Sequence, residues 1–217
     1  IQGIQEFRGV PYKIAVEEDN TSFIKLSVRV KNKIVADGLD DASFDASNTG
    51  EYVTALEMNQ YIENPNAVVV DMRNAYESEI GHFQGAVTPQ VDSFREELAV
   101  ITDELADKKD APIALYCTGG IRCEKASAWM KHKGFTNVKH LKGGIIDYAH
   151  QIKEQNLPNK FRGKNFVFDE RLGERVSDEV IATCHLCKSQ KADDHHHCKN
   201  LSCHTLFIGC GECLEKK

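Results

Sequence analysis

The chain has 217 residues, 41% of them hydrophobic and 28% charged, with a formal net charge of -6. That length gives room for one sizeable core plus small modules; no apolar run approaches the ~18 residues of a membrane span, no signal peptide is visible, and the acidic balance argues against indiscriminate nucleic-acid binding. Eight cysteines with no mark of secretion point to reactive thiols and metal sites rather than a disulfide framework, so the expected compartment is cytoplasmic.

Residues 1–36 carry strand-like alternation over Tyr12 to Val16 and Phe23 to Val35, with Ile24, Leu26, Val28 and Val30 on one side. Two strands alone are marginal. The first residue is Ile1 rather than Met, so this part is expected to be the end of a small α+β domain whose beginning is absent. Residues 37–53 are polar, acidic and poor in periodicity, and read as a linker. From Ala36 to Glu63 there are seven acidic residues and no Lys or Arg, whereas Gly120 to Lys142 holds six basic residues against Glu124 alone. The basic stretch either steers an anionic substrate or simply solvates a helix face.

Residues 54–158 alternate strand and helix patterns. Thr54-Ala55-Leu56-Glu57 is a capping box opening a helix through about Ile62. Val68-Val69-Val70 reads as a buried strand ending at Asp71, followed by Met72-Arg73. Gly81 to Ala86 is turn-rich and leads into a further short strand. Ser93 to Lys108 is helical, with Phe94, Leu98, Ile101 and Leu105 on one face. Ile113 to Tyr116 is a central strand, Cys123 to Lys133 a helix, Val138 to Leu141 a strand, and Gly143-Gly144 opens a helix through about Glu154. The alternation predicts an α/β fold with a parallel sheet and flanking helices, in which function gathers at the carboxyl ends of strands. Asp71 and Cys117 both fall there.

Cys117 stands between a strand and a helix N-terminus, where free backbone N–H groups and the positive end of the helix dipole converge. That setting lowers a thiol pKa from ~8.5 toward ~3.5–7.5 and makes thiolate the working species. In the loop Thr118-Gly119-Gly120-Ile121, the two glycines permit φ > 0, so their N–H groups can form an anion nest, and Arg122 closes it with a permanent charge. The bland alternative is a buried free cysteine. Cysteine phosphatases use a longer Cys-x5-Arg loop to wrap phosphate; the Cys-x4-Arg spacing here suits a smaller passenger, such as the outer sulfur of a persulfide.

Beyond residue 158, Phe161 to Arg175 mixes Arg162, Lys164, Arg171 and Arg175 with Phe166 and Phe168. Such a mixture can stack bases and hold phosphates, although a strand returning to the sheet explains it more simply. The C-terminal extension, residues 159–217, contains a Cys/His-rich module over 183–213. Its Cys184-x2-Cys187 and Cys210-x2-Cys213 pairs flank His195, Cys198 and Cys203-His204, a structural-zinc pattern. Four thiolates suffice for one ion, His195, Cys198, Cys203 and His204 could supply a second, and the grouping stays open. Reduced thiols and an iron site are the competing readings. No glycine fingerprint for a flavin or nicotinamide is present.

Asp71-Met72-Arg73, Gly81-His82-Phe83-Gln84-Gly85-Ala86, Cys117 to Arg122 and Gly143-Gly144 together resemble the rhodanese fold in order and spacing. Tyr116 to Ser127, Gly163 to Arg171 and the cysteine-rich tail are similar to the rhodanese-like tRNA uridine hydroxylases (the TrhO family), from about Ser27 to the end. The resemblance implies a ferredoxin-like domain before the rhodanese domain. It also implies oxygen-dependent 5-hydroxylation of a tRNA wobble uridine, with molecular oxygen as co-substrate, tRNA as partner and Cys117 as the essential residue. In that role Arg122 and the loop amides stabilise the sulfur anion, Asp71 and Arg73 brace the loop, and Lys125, Lys142, Arg162, Lys164 and Arg171 are candidate tRNA contacts. A rhodanese-type sulfurtransferase or persulfide carrier is the runner-up, and a zinc-dependent binding module the third reading.

Overall fold

The computed structural model describes residues 3–10, 13–16, 29–31, 33 and 35–215. From Glu51 onward strands and helices alternate as β1 (Glu51–Val53), α1 (Ala55–Glu63), β2 (Val68–Asp71), α2 (Ala75–Ile80), β3 (Gly81–Phe83), α3 (Phe94–Glu104) and β4 (Ile113–Tyr116). They continue through α4 (Ile121–His132), β5 (Val138–Leu141), α5 (Gly144–Glu154), β6 (Phe161–Asn165), β7 (Glu174–Arg175), β8 (His195–His197), β9 (Leu206–Ile208) and α6 (Gly211–Glu215). The central sheet is wholly parallel, in the order β1-β5-β4-β2.

Strand periodicity decides what each face touches. Ile113 and Leu115 of β4 join the cluster containing Leu98 and Ile101 of α3 and Ala126 and Met130 of α4. Ala114 and Tyr116 point the other way, into the cluster of Met58, Ile145 and Tyr148 from α1 and α5. Because both faces are covered, β4 is apolar throughout, as a parallel strand must be. Cys117 follows Tyr116 on the α3–α4 side. The capping box opens α1 as expected: the Glu57 amide donates to Thr54 Oγ1 at 3.3 Å, and the Thr54 amide to Glu57 Oε2 at 2.7 Å.

Several elements differ from the sequence expectation. The expected strand over Phe23 to Val35, and with it the ferredoxin-like remnant, lies largely outside the described residues; Tyr12 is also outside them, and residues 13–16 carry no strand. The stretch 37–53 ends in β1, an edge strand of the main sheet, and Phe44 within it packs edge-on against Trp129 with ring centroids 5.3 Å apart. The turn-rich Gly81 segment is itself β3. It pairs antiparallel with β6, which therefore returns to a separate three-stranded sheet, β3-β6-β7, rather than to the parallel one. The helix beginning at Ser93 ends at Glu104, short of Lys108, and α4 begins at Ile121, two residues before Cys123. No helix among the described residues is long and apolar enough to cross a membrane.

Candidate active site and metal centre

The loop from Cys117 to Arg122 is fixed from two helices. Gly120 takes φ +99° and caps α4, and its amide donates to Cys117 Sγ at 3.1 Å. Gly119 stays outside the left-handed region, so of the two glycines only Gly120 uses the expected freedom. The N-terminus of α5 holds the loop from the other side. The amides of Ile145 and Ile146 donate to the carbonyls of Cys117 and Thr118 at 3.0 and 3.2 Å. This approach requires Gly144: with φ +68°, a Cβ there would stand 2.5 Å from both carbonyl oxygens.

Cys117 is 2% exposed. Its thiol is lowered to about 6, first by the Cys123 thiol donating to it, then by the Arg122 charge and the Cys123 and Gly120 amides, which together outweigh burial. The Cys123 thiol is correspondingly pushed well up by burial and by that donation. At neutral pH Cys117 is therefore a thiolate while Cys123 keeps its proton. Cys123 is a buried cysteine of α4 whose protonated thiol lies against the Cys117 sulfur.

Arg122 is itself oriented. Its guanidinium grips Glu77 of α2 in bidentate fashion, at 2.6 and 2.8 Å, and Glu77 also accepts from the Asn74 amide at 3.1 Å as the cap of α2. The Thr118 hydroxyl reaches Glu77 at 3.3 Å. Asp71 and Arg73 are fully buried and hold each other at 2.8 and 2.6 Å. Asp71 accepts from the Tyr116 hydroxyl at 2.7 Å, and Arg73 donates to the Gly81 carbonyl. The pair fastens the ends of β2 and β4 to β3.

Two residues of this site escaped the sequence reading. Glu77 carried a signal, the Asn74-x-x-Glu77 capping pattern, but its grip on Arg122 joins residues 45 apart. Glu97 sits at a core position of α3 with Phe94, Leu98 and Ile101. It is fully buried and neither carboxyl oxygen has a hydrogen-bond partner. Burial, with Asp71, Glu77 and Cys117 adding to it and Arg122 opposing, pushes its carboxyl up to about 9. It is a neutral acid beside an ionised sulfur. A glutamate at an i, i+3, i+4, i+7 apolar position is the signal that could have found it.

In the tail, the sulfurs of Cys184, Cys187, Cys210 and Cys213 all lie within 4.8 Å of one another. Thiolates bound ~2.3 Å from a tetrahedral ion stand about 3.8 Å apart; Cys187 and Cys210 are at 3.9 Å. The Cys210 amide donates to Cys184 Sγ at 3.3 Å, as buried thiolates need. The four form a candidate metal centre. His195, Cys198 and Cys203 do not join it. His195 is buried on β8, edge-on to Phe166. Cys203 lies beside Cys198, and His204 stacks on His197 with centroids 4.6 Å apart. Among the described residues no second group of three or more such donors gathers as closely.

Four of the five candidate tRNA cations are engaged in ion pairs: Lys125 with Asp37, Arg162 with Glu179, Lys164 with Asp193 and Asp194, and Arg171 with Asp169 and Glu174. Lys142 is exposed.

A parallel sheet with a cysteine loop at the carboxyl end of its central strand defines a rhodanese-like protein. The family model for the rhodanese-like domain matches residues 54–151, and that for the "Rhodanase C-terminal" region matches residues 162–217. By sequence the chain is similar over nearly its whole length to proteins named tRNA uridine(34) hydroxylase. It is 54% identical over 211 residues to the protein of that name from Leptospira interrogans serogroup Icterohaemorrhagiae serovar Lai (strain 56601), covering 97% of this chain and 57% of the relative. To those from Salmonella typhi and Escherichia coli (strain SMS-3-5 / SECEC) it is 55% identical over 208 residues, 96% of this chain and 59% of each relative. The chain thus spans less than two thirds of the length of these relatives.

Proposed function

We propose that this chain carries the active centre of a tRNA wobble-uridine 5-hydroxylase acting in the cytoplasm, with Cys117 as its essential residue. The reading is carried by a sulfur held near pH 6 in a glycine–arginine cradle, in a chain 54–55% identical to proteins named for that activity. The domain division that goes with it is a rhodanese domain over 54–158 and an extension over 159–217.

Uridine C5 is a poor site for direct attack by oxygen. Addition of the Cys117 thiolate at C6 forms an S–C6 bond and moves the C5=C6 electron pair to C5 as an enolate. C5 then takes one atom of molecular oxygen, and the other leaves as water with two electrons from a thiol-class reductant. Loss of the C5 proton expels the thiolate and restores the ring. Arg122 and the loop amides stabilise the sulfur anion at the start and end of this cycle. A persulfide on Cys117 would meet the same donors.

The four-cysteine group supports a structural zinc site, since a closed set of four thiolates is the usual structural ligand set. Such an ion, when bound, would supply folding energy to the tail rather than chemistry. Lys142 is the cation best available for a phosphate contact.

The test is nucleoside mass spectrometry of unmodified tRNA incubated in air with the full-length protein and a thiol reductant, beside Cys117→Ser. The wild type should form 5-hydroxyuridine and the variant should lose it by roughly a thousandfold or more. Hydroxylation retained by Cys117→Ser would remove the sulfur from the mechanism. No hydroxylation, with thiocyanate formed from cyanide and thiosulfate, would establish the sulfurtransferase instead.

A further inference from the structure

Phe168 is the large aromatic side chain that packing explains least. In Phe166-Val167-Phe168 the first two residues are buried, while Phe168 is 59% exposed. Its ring stands edge-on to Phe166 at 5.3 Å, and the Arg122 guanidinium carbon lies 5.9 Å from its centre. Since Arg122 closes the Cys117 loop, the exposed ring stands against the residue that ends that loop.

Two cavities meet at this ring. The smaller, about 250 Å³, is bounded by Thr118 of the loop, Ile146 of α5, Lys13 and Arg171. The larger, about 620 Å³, runs toward the tail between Tyr76, Phe166, His197 and His204. Drug-sized ligands fill roughly 300–1,000 Å³, so the smaller cavity suits something nearer a single nucleobase. A base stacked in an RNA loop must leave its neighbours to reach a sulfur 2% exposed. An aromatic face is what receives such a base, because every base offers a π-face whatever its hydrogen-bonding edge.

We propose that Phe168 is the stacking platform for the target pyrimidine, which leaves the RNA loop, lies against this ring and enters the smaller cavity at Thr118, the residue that follows Cys117. The inference rests on the reading of the substrate as an RNA uridine. The guanidinium over the ring reinforces it, since a cation and an aromatic side chain together hold bases in single-stranded RNA.

The experiment uses the full-length protein and an anticodon stem-loop RNA, with Phe168→Ala, Phe168→Leu and Phe168→Trp. Phe168→Trp should keep kcat/KM near wild type, while Ala and Leu should each lower it roughly 5- to 150-fold, chiefly through KM. Because the ring is exposed, all three should melt near the wild-type temperature. In Phe168→Trp, the added tryptophan should be quenched by a uridine hexanucleotide and not by its abasic counterpart. If the wild type hydroxylates and Phe168→Ala stays within twofold, or Phe168→Leu equals wild type, the platform is wrong and the function stands. If the wild type does not hydroxylate, the function is wrong, and quenching by the abasic RNA alone, or by neither, removes the platform as well.

Discussion

The molecule places cysteines in two settings that differ in what surrounds the sulfur. Cys117 is held by amides, a neutral thiol and a guanidinium, on a sheet whose two faces are packed by independent apolar clusters. The four tail cysteines face one another, and the cluster behind them is small: Ile80, Phe166, Ala182 and Ile208. The first setting leaves a sulfur charged and available, and the second directs four sulfurs at a common point. One residue type thus occurs in two settings, a single sulfur beside a guanidinium and four sulfurs gathered together.

The contrast breaks most readily at the tail. Structural zinc in small domains is worth ~10–16 kcal/mol. Chelation, or Cys184→Ser with Cys213→Ser, should therefore open residues 183–213 while the parallel sheet stays closed, read region by region by hydrogen exchange. Loss of protection in β2, β4 and β5 at the same chelator concentration would show that the two settings are one cooperative unit.

On the rhodanese side, Arg73→Leu should lower stability by about 3–5 kcal/mol, because it leaves the buried Asp71 charge unpaired. Denaturant unfolding reads this directly, and a change under 1 kcal/mol would mean that Tyr116 alone satisfies Asp71. Glu97 acts with the opposite sign. Its folded pKa of about 9 stands above the ordinary glutamate value of 4.5, so between these the unfolded chain is ionised there while the folded chain is not. Its cost is absent below the unfolded pKa and grows as pH rises through that window. Glu97→Gln should therefore stabilise the protein by about 2–3 kcal/mol at pH 7, with the gain vanishing near pH 4. An equal gain at both pH values would show a packing effect instead.

The smallest effect sharpens the account of Cys117. Cys123→Ala removes the main donor to its sulfur, so the pH midpoint of Cys117 alkylation should rise from about 6 toward the usual thiol range. Cys123→Ser should restore most of the shift, because a hydroxyl still donates. Equal midpoints in all three proteins would assign the lowered value to Arg122 and the amides.

What was legible in the sequence was local. The Thr54–Glu57 cap, the apolar run of β4 and the glycine turn after Cys117 each announce themselves within a few residues. Strand β1 did not, since Glu51–Val53 is short, acidic at its start and defined by pairing with β5 more than 80 residues away in the chain. Gly81 in β3 reads as a turn residue, yet it is a strand glycine because a Cβ there would lie 2.0 Å from the Lys164 carbonyl oxygen. At the site, Cys117 and Arg122 were legible from spacing, whereas Glu77 and Glu97 arrive from other helices. The candidate RNA cations show the same limit: composition counts charges, and only the fold shows Arg162, Lys164 and Arg171 already opposite carboxylates.

The double fastening of the loop bears on redesign. Backbone groups of α5 and Gly120 hold it, while two of its positions carry little of that duty. Gly119 has open space where a side chain would go, and Ile121 is 48% exposed. Those two positions are where side chains can be exchanged at the loop with least disturbance of the backbone that holds the sulfur.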